Sequence, residues 1–339
     1  MSSTHIDVSA IDLDMLGAWM DAQGLPGGPI EGTTPVVGGT QNVMVRFERG
    51  GVPYILRRPP MHARSKSNEV LRRESRVLAA LRDTSVPAPR LVAAQTDQEP
   101  VFYLMEPVDG FNPSTGLPEP HASDPAIRHR MGLEAAAALA ELGRVDPGVL
   151  PGFGRPEGFL ERQVPRWLKE LDSYADLDGY PGPDIPGLRE TADWLTANVP
   201  ASFTPGVMHG DFHFANLMFA HDGPRVAAIV DWEMCTIGDP LLDLGWLVAT
   251  WPSNALHVPG LPEPRELIAY YAALSERDMS AMNWYAVMAC FKLGIVLEGS
   301  HARAFAGKAP KDIGDLLHAT TLGLFERAGQ IIEGLLDEI

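Results

Sequence analysis

The sequence is poor in cysteine and in lysine. Cys235 and Cys290 are the only two cysteines in 339 residues, too few and too isolated for a disulfide framework or a cysteine-based zinc site. A reducing compartment is the expected setting. Of the 27 basic residues only five are lysine, and against 44 acidic residues they leave a net charge of −17. Such a balance argues against nucleic acid as a partner, because phosphate backbones require a basic face. No uncharged apolar run reaches about 18 residues, so no membrane span and no membrane partner are expected. The first residues, Met1-Ser2-Ser3-Thr4-His5, lack the basic-then-apolar pattern of an export signal. The expected location is therefore cytoplasmic. Nothing in the sequence bears on oligomeric state.

What is present fits an ordinary globular protein rather than a disordered one. Hydrophobic residues make up 45% and charged residues 21%, and the length suits two lobes better than one domain. The charge is uneven: residues 46–90 carry a net +7 and the remainder −24. Either an anion is handled near that basic stretch or a helix there has a basic surface.

The chain divides by pattern. A short helix around 11–22 precedes a Gly/Pro-rich turn. Residues 36–47 then read as strand, glycine turn, strand, and Gly50-Gly51 leads to a further strand at Tyr54-Ile55-Leu56-Arg57. The apolar positions Val70, Leu71, Val77, Leu78 and Leu81 have helical spacing. A strand is expected at 101–106, ended by Pro107 and Asp109-Gly110. Residues 35–106 thus read β, β, β, α, β. After about 122 the pattern turns helical, at 126–144, 158–171, 185–198, 241–250, 264–274, 282–298 and 311–336. Two short strands interrupt it, at 217–219 and 226–230. The expected fold class is α+β and bilobal, with a small β-rich lobe at 1–106 and a larger, mostly helical lobe at 107–339.

The strongest local signal is His209-Gly210-Asp211-Phe212-His213-Phe214-Ala215-Asn216, followed by an apolar strand, Val226–Val230, that ends in Asp231-Trp232-Glu233. His-Gly-Asp-x-x-x-x-Asn, a short hairpin, then an apolar strand and an aspartate resembles the active-site pattern of the aminoglycoside phosphotransferase and choline kinase family, relatives of the protein kinases. The resemblance covers roughly residues 30–300. It implies a protein-kinase-like fold and transfer of the γ-phosphate of ATP or GTP, with Mg²⁺, to a hydroxyl of a small molecule. Asp211 would accept or orient the attacking hydroxyl's proton, and His209 would order the catalytic loop around it. Asn216 and Asp231 would supply hard oxygen ligands to Mg²⁺. Glu233 would either help place a second Mg²⁺ or face solvent. Gly238-Asp239-Pro240-Leu241-Leu242-Asp243 also matches the family. There Asp243 would be a buried brace for the catalytic loop, and Asp239 a helix cap.

For the nucleotide, Gly38, Gly39, Thr40 and Asn42 resemble the family's phosphate-covering turn, where glycines let backbone N–H groups approach phosphate oxygens. The third strand departs from the kinase pattern: Lys66 is the only lysine before Lys169, so Arg57 or Arg58 must replace the usual strand lysine. Alternation along the strand favours Arg57 if Ile55 faces the adenine. Glu74, in Arg72-Arg73-Glu74-Ser75-Arg76, resembles the helix glutamate that pairs with that cation; a surface pair along its own helix is the other reading. Glu106 and Val108 fall in the segment resembling the hinge, whose backbone groups would read the base. Trp194, Trp246, Trp251, Trp284 and Tyr285 either line the acceptor pocket or fill the core.

The arginine in the third strand, Arg-Glu-x-Arg-Val-Leu in the helix and Asp-Trp-Glu after the hairpin most resemble the subgroup whose relatives are fused to acyl-CoA dehydrogenases. That implies a hydroxylated acyl compound, or else an aminoglycoside-like alcohol, as acceptor. Two other readings stand beside a small-molecule kinase. One is a nucleotide-binding pseudokinase or regulatory module, suggested by the missing lysine. The other is a metal-dependent hydrolase built on His209, Asp211 and His213.

Overall fold

The structure, a computed structural model, describes residues 11–36, 42–60, 67–254, 259–334 and 336. Elements follow in the order α1 (Leu13–Ala22), β1 (Ile30–Pro35), β2 (Val43–Arg49), β3 (Val52–Arg58), α2 (Ser67–Leu81), β4 (Leu91–Gln95), β5 (Phe102–Met105), α3 (Pro125–Gly143), α4 (Gln163–Asp172), α5 (Leu188–Ala197), β6 (Gly206–Met208), β7 (Leu217–Phe219), β8 (Val226–Ile229), β9 (Thr236–Gly238), α6 (Leu241–Asn254), α7 (Pro264–Leu274), α8 (Met282–Phe305) and α9 (Lys311–Ile332). None of the described helices is long and apolar enough to cross a membrane.

Two compact units result. The first runs to Phe111 and also takes in Met218–His221 and Val226–Met234; the second holds the rest. The sequence put the division after residue 106. The units divide later because Phe111 and Phe219 exchange backbone hydrogen bonds, each 2.9 Å, which draws most of the β7–β8 hairpin into the first unit.

In the first unit a five-stranded antiparallel sheet has the order β1-β2-β3-β5-β4. Arg49 pairs with Val52, so β2 and β3 are joined by Gly50-Gly51 alone, both with positive φ. This is the two-residue turn whose backbone only glycine adopts freely. Strand alternation then sorts the side chains. Phe47, Tyr54, Leu56, Phe102 and Leu104 form one core with Leu16 and Met20 of α1, and the odd neighbours Ile55, Arg57, Tyr103 and Met105 share the opposite face. Helix α2 brings buried Leu71, Glu74, Val77 and Leu78 to this unit. The strand β4 was not expected from the sequence, because Leu91-Val92-Ala93-Ala94-Gln95 has little β-branched character.

The second unit is helical around α8, which packs most extensively along α9 and also against α6. Trp284, Tyr285, Phe291 and Ile295 of α8 are buried, and the Trp284 indole donates to the Leu195 carbonyl of α5 at 2.9 Å. The helix expected to stop at 298 runs on to Phe305, because Gly299 lies under the Tyr174 ring rather than ending the helix. The helix expected from 158 begins at Gln163, with Pro165 in its first turn, where no backbone N–H is missed. The second small sheet pairs β6 with β9, neither of which was expected.

Helix α6 crosses α8 at Gly245. A Cβ there would stand 2.4 Å from the Tyr285 carbonyl oxygen, a backbone atom that cannot swing aside. Gly245→Ala should therefore lower stability by about 1–3 kcal/mol through overpacking, read from the midpoint of chemical denaturation. An unchanged midpoint would contradict this crossing geometry.

Candidate active site

The loop between β6 and β7 is built around one carboxylate. Asp243, in the first turn of α6, is 1% exposed. Its Oδ2 accepts the His209 N–H at 2.6 Å and its Oδ1 the Gly210 N–H at 2.9 Å. Gly210 has φ +86°, a left-handed conformation that a side chain would strain. On its other side the Gly210 carbonyl accepts from Lys292 Nζ at 3.0 Å. Burial pushes the Asp243 carboxyl up to about 7, against the two N–H groups and Lys292.

This brace presents Asp211. The Trp246 indole, one turn beyond Asp243, donates to Asp211 Oδ1 at 3.0 Å. Asn216 Nδ2 donates to the Asp211 backbone oxygen at 3.0 Å and to Oδ2 at 3.2 Å. His213 Nε2 lies 3.4 Å from the same Oδ2. Burial works to raise the Asp211 carboxyl, but His213, then His209 and Lys292, outweigh it and hold it at about 2. Asp211 is thus a fixed carboxylate, about a third exposed. A short 3-10 turn, Phe214–Asn216, turns the chain back. Because Asn216 commits its Nδ2 inward, its Oδ1 is the atom left to offer. His209 is fully buried and its Nδ1 accepts the Asp211 N–H at 3.3 Å. Its role in this loop is positional.

One side chain of this arrangement, Lys292, escaped the sequence reading, and Trp246 has a role that the reading did not give it. Lys292 lies on α8 with its ammonium 4.0 Å from the centre of the Trp246 ring. Burial lowers its pKa while Asp211 and Asp243 raise it. The signal was available: it is the only lysine between Lys169 and Lys308, set in the apolar run Ala289-Cys290-Phe291. Trp246 belongs to the catalytic loop's support, and Trp251, Trp284 and Tyr285 are buried in the core.

The first unit holds a second polar cluster. Arg57 Nη2 donates to Glu74 Oε1 at 2.8 Å, with the two side chains 12% and 2% exposed. Glu74 is therefore no surface residue of its own helix. Tyr103, the register partner of Arg57, donates its hydroxyl to Glu74 Oε2 at 3.4 Å. Asp231, directly after β8, lies 3.5 Å from Arg57 Nη2. Its φ of +67° makes it the one non-glycine residue with positive φ among those described, a strain of roughly 1–3 kcal/mol. Burial pushes the Glu74 carboxyl up to about 7; Arg57 opposes this, and Asp231 and Glu233 add to it. Burial lowers the Arg57 pKa, but Tyr103, Glu74, Asp231 and Glu233 outweigh it and raise it. Arg58 lies beyond this cluster on the other strand face, its pKa lowered by burial.

Of the remaining expected residues, Gly38, Gly39 and Thr40 lie outside the described residues, and Asn42 is in a bend before β2. The Glu106 N–H donates to the Arg90 carbonyl at 2.9 Å. Asp239 caps α6 through the Leu241 N–H at 3.1 Å. His209, Asp211 and His213 do not form a group of potential metal ligands among the described residues.

A small antiparallel-sheet unit, a helical unit and a carboxylate-braced His-Gly-Asp loop are the parts of the protein-kinase-like fold that small-molecule phosphotransferases share. The description "Phosphotransferase enzyme family" matches residues 32–285, and the chain belongs to that family. Acyl-CoA dehydrogenase family member 11 of Gallus gallus is 30% identical over 294 residues, covering 80% of this chain and 36% of that protein. The chain spans just over a third of the length of such curated relatives. A crystal structure of a candidate aminoglycoside phosphotransferase from Ralstonia eutropha JMP134 aligns with TM-score 0.78 at 26% identity, covering 94% of this chain and 98% of that one. The GDP complex of aminoglycoside 2'-phosphotransferase-IIIa aligns with TM-score 0.64 at 16% identity, over 94% and 98% of the two chains, and shares the fold.

The Glu74 shift has a stability consequence with a definite sign. The folded carboxyl titrates near 7 against an ordinary 4.5, so the folded state binds more protons over that interval. The contribution is full below about 4.5 and lost as pH rises through 7. Nucleotide-free protein should therefore lose stability between pH 5 and 8, by about 1–3 kcal/mol. Glu74→Gln should flatten much of that slope, leaving the part from Asp243. Denaturation midpoints across this range check it; an equal slope in the variant would contradict it.

Proposed function

We propose that this protein transfers the γ-phosphoryl group of ATP or GTP to a hydroxyl of a small molecule, with Mg²⁺, in the cytoplasm. The observation that carries the reading is the Asp211 carboxylate, held on both oxygens by Trp246, Asn216 and His213 and kept ionised. Phosphoryl transfer asks the protein for position and charge more than for covalent chemistry. Both Asp211 oxygens have acceptor capacity left after these bonds, so the carboxylate can orient an acceptor hydroxyl and take its proton as the new P–O bond forms.

Asn216 Oδ1 and the Asp231 carboxylate, both hard oxygen ligands of the kind Mg²⁺ takes, are proposed to hold the ion. Bound there, the ion would neutralise charge on the phosphates. Arg57, fixed by Glu74, is proposed to hold the α/β-phosphates by its forked N–H groups. Gly38, Gly39, Thr40 and Asn42 are proposed to cover the phosphates. The Glu106 carbonyl and the Val108 N–H are proposed to read the base. The nucleotide complexes among the structural relatives, with GDP and with ADP, support a nucleotide co-substrate.

For the acceptor, the likeness to acyl-CoA dehydrogenase family members supports a hydroxylated acyl compound over an aminoglycoside. The Arg57–Glu74 ion pair supports a kinase over the pseudokinase reading, with Arg57 proposed to substitute for the strand lysine.

Asp211→Ala should reduce turnover by about 10²–10⁴-fold while Mg-nucleotide binding, read by calorimetry, is retained. Hydroxyacyl thioesters and aminoglycosides assayed side by side with ATP and GTP choose the acceptor and donor. Near wild-type turnover in the variant would contradict the role given to Asp211.

A further inference from the structure

Helices α8 and α9 each carry an acid-x-x-His pair: Glu298 with His301, and Asp315 with His318. Residues three apart share a helix face, and these two faces meet where the helices pack. Glu298 Oε2 lies 2.7 Å from His318 Nδ1. His301 Nδ1 lies 3.8 Å from Asp315 Oδ1. The two imidazoles stack with centroids 4.4 Å apart and planes 19° from parallel. Glu298 is 1% exposed, and its Oε1 accepts the Tyr180 hydroxyl at 2.6 Å. One donor atom from each of Glu298, His301 and His318 lies within 4.8 Å of the other two, the one such group found among the described residues.

A hydrogen-bonded Glu298–His318 pair accounts for those two residues alone. It does not account for His301, whose Nδ1 is buried without a hydrogen bond. A metal ion accounts for it, because an imidazole nitrogen without a hydrogen bond has a lone pair to offer as a ligand.

We propose that Glu298, His301 and His318 form a binding site for a divalent transition ion of the zinc, cobalt and nickel class, separate from the phosphotransfer residues. Two imidazoles and a carboxylate suit these ions better than Mg²⁺ or Ca²⁺. Bonds of about 2.0–2.2 Å to a four-coordinate ion require the three donors to close together by side-chain rotation. The i,i+3 pairing brings them near enough for that. Tyr180 holds the second oxygen of Glu298, as ligand-orienting partners do. The His301 and His318 side chains are 13% and 23% exposed, which gives an ion a way in. The ion would fasten α9 to the helix that carries Lys292, and through Lys292 to the Gly210 carbonyl of the catalytic loop.

The test uses the full chain, stripped with chelator and titrated with Co²⁺ in the absence of nucleotide and Mg²⁺. One equivalent of Co²⁺ should bind, give visible d–d absorption of a four- or five-coordinate nitrogen/oxygen site, be displaced by Zn²⁺ and raise the melting temperature. His301→Gln and His318→Gln should each weaken binding by at least about tenfold, while Asp211→Ala leaves it unchanged. Absence of tight Co²⁺ binding in the wild-type chain would overturn the proposal. So would binding that persists undiminished in both histidine variants, or binding lost in Asp211→Ala alone.

Discussion

The catalytic loop depends on a buried carboxylate that accepts two consecutive backbone N–H groups. Taking Asp243 out of water is costly, and the cost is offset only because both of its oxygens are occupied by His209 and Gly210. The same bonds set the left-handed turn at Gly210, and that turn aims Asp211 outward from the loop. Lys292 closes the arrangement from the other side, bonded to the Gly210 carbonyl and stacked on Trp246. Trp246 in turn bonds Asp211. Asp243 and Trp246 are three apart on α6, so one helix face both braces the loop and holds the residue the loop presents.

The first unit solves the same problem with a guanidinium. Arg57 is reached by strand alternation, Glu74 by the buried face of α2, and Tyr103 by register with Arg57. Asp231 comes to it from a hairpin more than 170 residues later in the chain. The hairpin is tied to the unit by the Ile229 N–H bonded to Pro87 and by the Phe111–Phe219 bridge. In both clusters burial is what pushes a carboxyl, Glu74 in one and Asp243 in the other, up to about 7, with neighbouring carboxylates adding to it and Arg57 or Lys292 opposing it.

Much of this was legible from residue order. The spacing of Asp211, Asn216 and Asp231 carried the family pattern. The strand period singled out Arg57 over Arg58, and Asp243 stood at the position where relatives keep a buried brace. Other features were not legible for physical reasons. The three-residue strands β6 and β9 are too short for any period to show. β4 is made of small residues without β-branched signature. The division of units was displaced because a backbone bridge at Phe111 joins segments far apart in sequence. Lys292 and Trp246 act through tertiary contact, and no local pattern announces which buried tryptophan will face a carboxylate. The Glu298/His301 and Asp315/His318 pairs are visible as spacings, but their meeting depends on how α8 and α9 pack.

Amide hydrogen exchange of the His209 and Gly210 N–H groups tests the central claim most directly. If the Asp243 carboxylate holds both, they should exchange only through global unfolding, matching the slowest amides of α8, although they lie in a loop. Exchange of these two amides at rates typical of exposed loops would contradict the account.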